Sequence, residues 1–156
     1  MDGNTNSGGW DLFLVKYNSS GTKQWTKQLG TSEDDIARGI AVDSSDNIYF
    51  TGNTHGGLDG NTNSGLTDLF LVKYNSSGTK QWTQQLGTSH GETAYGVAVD
   101  SSGNVYASGV TSGGLNGNPA RGSDLFVVKY NSIVPLLSVG ACPQQDSPSK
   151  VLVFRE

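Results

Sequence analysis

The chain has 156 residues, of which 34% are hydrophobic and 22 are glycine, with a formal net charge of −4. That size supports one domain with a modest core, and that mixture fits many short strands joined by tight turns. The acidic balance and the lack of a basic stripe exclude a nucleic-acid surface, and the lone Cys142 excludes an internal disulfide framework. After Met1 the sequence Asp2-Gly3-Asn4-Thr5 has neither the basic start nor the apolar stretch of a secretion signal. The longest apolar stretch, Ile133 to Cys142, is broken by Pro135, Ser138 and Gly140 and is too short for a membrane helix.

In chain order, the first strand signal is Leu12 to Tyr17, with Leu12 and Leu14 on one face and Phe13, Val15 and Tyr17 on the other. A strand that is apolar on both sides is expected to be buried on both. Asn18-Ser19-Ser20-Gly21 then reads as a hairpin turn in which Gly21 takes positive φ. Lys23 to Leu29 follows, with Trp25 and Leu29 beside Lys23 and Lys27 on one face, and Gln24, Thr26 and Gln28 on the other: an outer, half-wet strand.

Next comes Ile36 to Val42. Strict alternation puts Ile36, Ile40 and Val42 with Arg38 on one face, and Ala37, Gly39 and Ala41 on the other. A face of such small residues lets a neighbouring backbone come close, so this strand is expected to be innermost. The turn Asp43 to Asn47 leads to a fourth strand, Ile48 to Asn53, and Asp46 is expected at positive φ because its counterpart one repeat later is Gly103.

The same order then recurs. Residues 2–58 and 59–115 align without a gap, and 42 of the 57 positions are identical. A third copy, 116–132, is one residue shorter before its strand Asp124 to Tyr130, and residues 133–156 match nothing upstream. Four strand signals per repeat select a β-propeller, in which each unit is one four-stranded blade. Residues 11–30 form the outer half of one blade, 36–87 a full blade, and 94–131 the first three strands of a third. The expected fold is therefore all-β, a partial propeller of about two and a half four-stranded antiparallel blades over residues 1–132. Val151 to Phe154 in the divergent tail is expected to substitute for the missing outer strand.

The Asp-Leu-Phe-Leu-Val-Lys-Tyr strand, the Gly-Thr-Lys-Gln-Trp-Thr and Gln-Leu-Gly elements, and Gly96-Val-Ala-Val-Asp-Ser-Ser-Gly-Asn-Val-Tyr106 together resemble the SBBP-type β-propeller repeat family of bacteria. The resemblance covers residues 2–132. It implies a bacterial cell-surface or secreted protein of many blades, with no catalytic residues to carry over. Propellers close with about 4–8 blades. The chain is therefore expected to be a fragment of a longer array, or else to self-associate into a ring. The change of sequence at Ile133 suggests a frameshift or a truncated reading frame.

Candidate chemistry lies in the loops. Asp59, Asn61, Asn63 and Asp68 place side-chain oxygens at spacings like those of calcium loops, and Asp2, Asn4, Asn6 and Asp11 repeat them. The glycine falls at loop position 7 and no Glu follows at position 12, so a string of Asx-turns is the competing reading. Gly87-Thr88-Ser89-His90-Gly91 matches the G-x-S-x-G elbow, but it lies between two strands, and its counterpart Gly30-Thr31-Ser32-Glu33-Asp34 breaks the match. Glu33, Asp34 and Asp35 read as a solvated acidic loop, with a catalytic carboxylate pair as the sharper alternative. His55 and His90 lack the cluster that zinc needs.

Trp25 and Trp82 sit on a repeated strand and are read as packing between blades rather than stacking on sugars. Asn18 and Asn75 head glycosylation sequons within hairpin turns. Trp10 is replaced by Thr67 in the second copy, so it does not serve the repeat and is the lone candidate for ligand contact. The differing positions 33–36, 38, 53 and 55 lie largely at loops and strand ends, where a propeller presents its binding face. The expected function is a non-catalytic binding scaffold for a protein or a glycan. The alternative is part of a propeller lyase or hydrolase whose active site lies outside this stretch.

Overall fold

The computed structural model describes residues 3–117, 122–131 and 150–154. Ten strands occur among them: β1 Leu12–Tyr17, β2 Lys23–Leu29, β3 Asp35–Val42, β4 Ile48–Thr54, β5 Asp68–Tyr74, β6 Lys80–Leu86, β7 Glu92–Val99, β8 Val105–Thr111, β9 Asp124–Tyr130 and β10 Lys150–Phe154. They make three separate antiparallel sheets, ordered β1-β2, β3-β4-β5-β6 and β7-β8-β9-β10. Short 3-10 turns at Leu58–Gly60 and Leu115–Gly117 bracket the repeats, and no α-helix occurs among the described residues. No helix there is long and apolar enough to cross a membrane.

The chain is a partial propeller: half a blade, then two four-stranded ones. The second blade runs from Asp35 to Leu86, close to the expected bounds. In the third, Lys150–Phe154 pairs antiparallel with β9, Lys150 opposite Lys129 and Phe154 opposite Leu125, and takes the outermost place. The change of sequence at Ile133, read as a frameshift or a truncated reading frame, and Cys142 fall outside the described residues.

Turn chemistry sets the hairpins. Asn18 Oδ1 accepts from the backbone N–H of Ser20 and Thr22, and Asn75 does the same for Ser77 and Thr79. Both sequons are therefore Asx-turns, closed by Gly21 and Gly78 at φ 78°. Asp46 does take positive φ, 60°, where Gly103 has 79°.

The inner strand departs from the expected alternation. Ala37 pairs with Gly52 and Gly39 with Thr51, which leaves Arg38 as an extra, bulged residue. A bulge shifts the pleat by one, so side chains beyond it change face. Ile40 and Val42 consequently lie on the face of Asp35 and Ala37, while Ile36 joins Gly39 and Ala41. The same bulge recurs in β7, at Tyr95. Gly39 and Ala41 face the third blade, and β7 packs on β3 and β4. A Cβ on Gly39 would stand 3.0 Å from the Tyr95 carbonyl oxygen, so the small-residue strand lets the backbone of the next blade come close.

The core fills the two seams between blades. In the first seam Leu12, Phe50, Phe70, Val72, Tyr74 and the 3-10 residue Leu58 pack together, with Trp25 against them. In the second, Leu69 and Leu71 of β5 meet Ala94, Val105, Phe126 and Val128. Trp82 stacks on Tyr130 across this seam at 6.5 Å, so the repeated tryptophans do pack between blades. Each fully buried large apolar side chain contributes about 1.5–3 kcal/mol.

β1 is not buried on both sides as expected. Phe13 and Tyr17 are 62% and 58% exposed, whereas their counterparts Phe70 and Tyr74 are 0% and 5%. The reason is the sheet order: β5 has the inner hairpin β3-β4 beside it, whereas among the described residues β1 pairs only with β2. A mainly apolar groove lined by Leu14, Val15, Tyr17, Ile40, Val42 and Ile48, together with Lys16 and Asp46, lies beside β1 against the second blade.

Candidate functional site

The loops at one end of the sheets form a rim, and backbone bonds lace it together. The Asp35 N–H donates to the Trp10 carbonyl at 2.6 Å, and the His55 N–H to the Asp34 carbonyl at 3.0 Å. One repeat later the Glu92 N–H donates to Thr67 and the Ser112 N–H to Gly91, at 2.8 and 2.9 Å. Because main-chain groups do the joining, the side chains at these positions can differ without loss of the joint.

They do differ. Trp10 becomes Thr67, Glu33 becomes His90, Asp34 becomes Gly91 and His55 becomes Ser112. Trp10 is 70% exposed, as is expected of a side chain the repeat does not need. Its own N–H donates to Asp34 Oδ1 at 3.0 Å, which fixes the loop while the indole stays in solvent. His55 Nδ1 donates to the Asp34 carbonyl at 3.3 Å, and Asn63 Nδ2 donates to the His55 carbonyl at 2.5 Å. The rim thus places an indole, an imidazole and the exposed Glu33 and Asp34 together.

Beneath the rim lies a polar layer that alternation and composition did not reveal. Asp35 is not part of a solvated acidic loop: it is 1% exposed. Its Oδ2 accepts from the Thr31 N–H and hydroxyl at 2.6 and 3.0 Å, and its Oδ1 from the Thr54 hydroxyl. Glu92, fully buried, takes the same bonds from Thr88 and Thr111. The signal was present as a threonine four residues before a carboxylate, kept in both copies although two of the three residues between change. Gln85, the counterpart of Gln28 on the outer, half-wet strand, donates to Asp68 Oδ2 and the Gly56 carbonyl, both at 3.0 Å, and accepts from the Leu58 N–H.

The calcium candidates are spread among protein partners. Asp59 bonds Lys80 and Thr83, Asn61 donates to the Leu58 carbonyl, and Asn63 accepts from the Gly65 N–H. Asp68 is buried and accepts from the Ser64 N–H and Gln85. In the first copy Asn4 donates to the Thr26 carbonyl, Asn6 accepts from the Gly8 N–H, and Asp11 accepts from Ser7 and Gln28; Asp2 lies outside the described residues. Asp11 Oδ1 is the one buried side-chain polar atom without a hydrogen-bond partner among the described residues. Among the described residues no group of three His, Cys, Asp or Glu side chains gathers around one point.

Ser89 Oγ and His90 Nδ1 lie 3.2 Å apart in an exposed loop between β6 and β7. That loop is a strand-to-strand connection, not the strand-to-helix turn of a nucleophile elbow.

The sequence profile of the SBBP β-propeller repeat matches residues 24–59 and 81–116. Those two segments carry SBBP β-propeller repeats. The two matched SBBP segments begin on the outer strand of one blade and end in the 3-10 turn after the next blade's second strand, so each straddles a seam. Two relatives share the pattern. An uncharacterized WD repeat-containing protein of Acanthamoeba polyphaga mimivirus is 29% identical over 147 residues, which is 83% of this chain and 11% of that protein. The regulatory protein FlaEY of Caulobacter vibrioides is 28% identical over 142 residues, 83% of this chain and 15% of its own length. The chain therefore spans a small part of either relative.

Proposed function

We propose that this chain is a non-catalytic binding module, part of a bacterial cell-surface or secreted protein, whose SBBP blades present the rim to a protein or glycan ligand. The observation that carries this is the coincidence of variation and exposure. Two copies identical at 42 of 57 positions differ in the side chains of Trp10, Glu33, Asp34 and His55, all exposed on rim loops whose backbone bonds are kept. A scaffold that repeats its packing and varies its rim is suited to recognition.

The test is binding of the purified chain to glycan arrays and to candidate surface proteins, each with calcium and with chelator. Trp10→Ala is expected to abolish retention of the ligand while changing stability by no more than about 0.5 kcal/mol, as for other exposed positions. Retention indifferent to changes at Trp10, Asp34 and His55 would remove the rim from the binding surface. Loss on chelation would assign calcium a part in it.

A further inference from the structure

We propose that Arg38, oriented by Asn53 and stacked on Tyr95, forms a carboxylate-binding site at the inner edge of the blades, fitted to an acidic sugar. The proposal rests on the binding reading above and deepens it by naming a ligand class.

Arg38 and Tyr95 occupy the same position in successive repeats, and each is the bulged residue of its innermost strand. A bulge turns a side chain out of the pleat, and bulges recur beside functional sites for that reason. Here both side chains are exposed, Tyr95 by 53%, and the two meet: the Arg38 guanidinium carbon lies 5.4 Å from the centre of the Tyr95 ring. The stack holds the plane of the guanidinium against a flat surface.

A second contact fixes its rotation. Arg38 Nε donates to Asn53 Oδ1 at 2.9 Å, and Asn53 is only 4% exposed. With Nε occupied and one face stacked, the two Nη groups are left to form the fork that matches a carboxylate. The described residues place no carboxylate within ion-pair distance of it.

The pair also changes as a pair. One repeat later Tyr95 and Val110 replace Arg38 and Asn53. A merely solvated arginine would not need a buried acceptor that disappears with it. The ring of Tyr95 supplies a flat apolar wall beside the fork, which suits a carboxylate carried on a sugar ring better than a bare one.

The experiment is a titration of the full ¹⁵N-labelled chain with sodium glucuronate at constant ionic strength, with glucose and sodium acetate as separate arms. A saturable shift of the Arg38 Nε–H signal with glucuronate is expected, weaker with acetate and absent with glucose. Arg38→Lys, at an exposed site, is expected to fold normally and weaken binding about tenfold or more, because lysine lacks the fork. Asn53→Val copies the second repeat and is expected to weaken binding several-fold. Equal shifts in Arg38→Gln, or shifts that follow chloride alone, would overturn the site. Acetate binding as tight as glucuronate would overturn the sugar assignment. The two readings fail separately: array binding lost in Trp10→Ala but unchanged in Arg38→Lys refutes this site and leaves the rim. Arg38-dependent glucuronate binding with every array empty leaves this site without the rim.

Discussion

At the scale of single residues, the buried carboxylates carry the sharpest predictions. Asp35 is enclosed and bonded to Thr31 and Thr54, and Glu92 repeats the arrangement with one more methylene. Removing a charged acceptor strands its donors away from water. Asp35→Ala is expected to cost about 2–4 kcal/mol, measured by urea denaturation, whereas Asp34→Ala, one residue away and exposed, is expected to cost under about 1 kcal/mol. The contrast separates a structural carboxylate from its solvated neighbour. Composition could not make that separation, because Glu33, Asp34 and Asp35 look alike until the threonines are placed in space.

Asp43 and Asp100 give a pH dependence. Burial pushes the Asp43 carboxyl up, but bonds from the Asn47 side chain, the Asn47 and Ser45 N–H groups and the Tyr49 hydroxyl outweigh it and hold the group below its ordinary value of 3.8. The Asn104 side chain leads the same set of donors at Asp100, against a smaller opposing effect of burial, and lowers it too. A carboxylate held low in the fold stabilises it above the unfolded value, and that contribution disappears as pH falls through the folded value. Tm is expected to fall between about pH 5 and pH 2, and Asp43→Asn is expected to flatten that fall. At the alkaline end, burial and the Asp59 charge raise Tyr74 from 10.0 to about 12. The neutral ring is favoured in the fold, so stability is full below pH 10.0 and declines as pH rises through about 12.

At the scale of strands, the innermost pair depends on absent side chains. A Cβ on Gly52 would lie 1.9 Å from the Ile36 carbonyl oxygen, because the bulge at Arg38 pushes that backbone against β4. Gly52→Ala is therefore expected to displace β3 and lower Tm by several degrees, while Gly21→Ala, with open space about it, is limited to the strain of its φ of 78°. Strand positions and hairpin turns were legible in the sequence because alternation and Asn-Ser-Ser-Gly are local signals. The bulge was not: Ile36, Arg38, Ile40 and Val42 alternate as an unbroken strand would, and only pairing with β4 shows that Arg38 is extra. Leu58 and Gln85 were illegible for a related reason. A leucine in a turn and a glutamine on an edge strand look solvated until the neighbouring blade is present.

At the scale of the whole molecule, the first half-blade leaves an apolar face uncovered. Ile40 and Val42 are 59% and 58% exposed, while their counterparts Val97 and Val99 pack half-buried in the second seam. Such a face promotes association. Light scattering is expected to show mass rising with concentration, and Ile40→Lys with Val42→Lys is expected to suppress that rise without unfolding the chain. A clean monomer at all concentrations would show that the groove is inert.

The sequence by itself determined the repeat, the four-strand unit, the order of strands from small-residue inner edge to tryptophan-bearing outer edge, and the positive φ at Asp46. Each follows from spacing along the chain, and two near-identical copies state the pattern twice. Only the tertiary structure decided which carboxylates are buried, where the inner strand bulges, and that Arg38, Asn53 and Tyr95 meet. These depend on residues brought together across strands and across a seam. Distance along a chain says little about that distance in space once strands pair and blades stack.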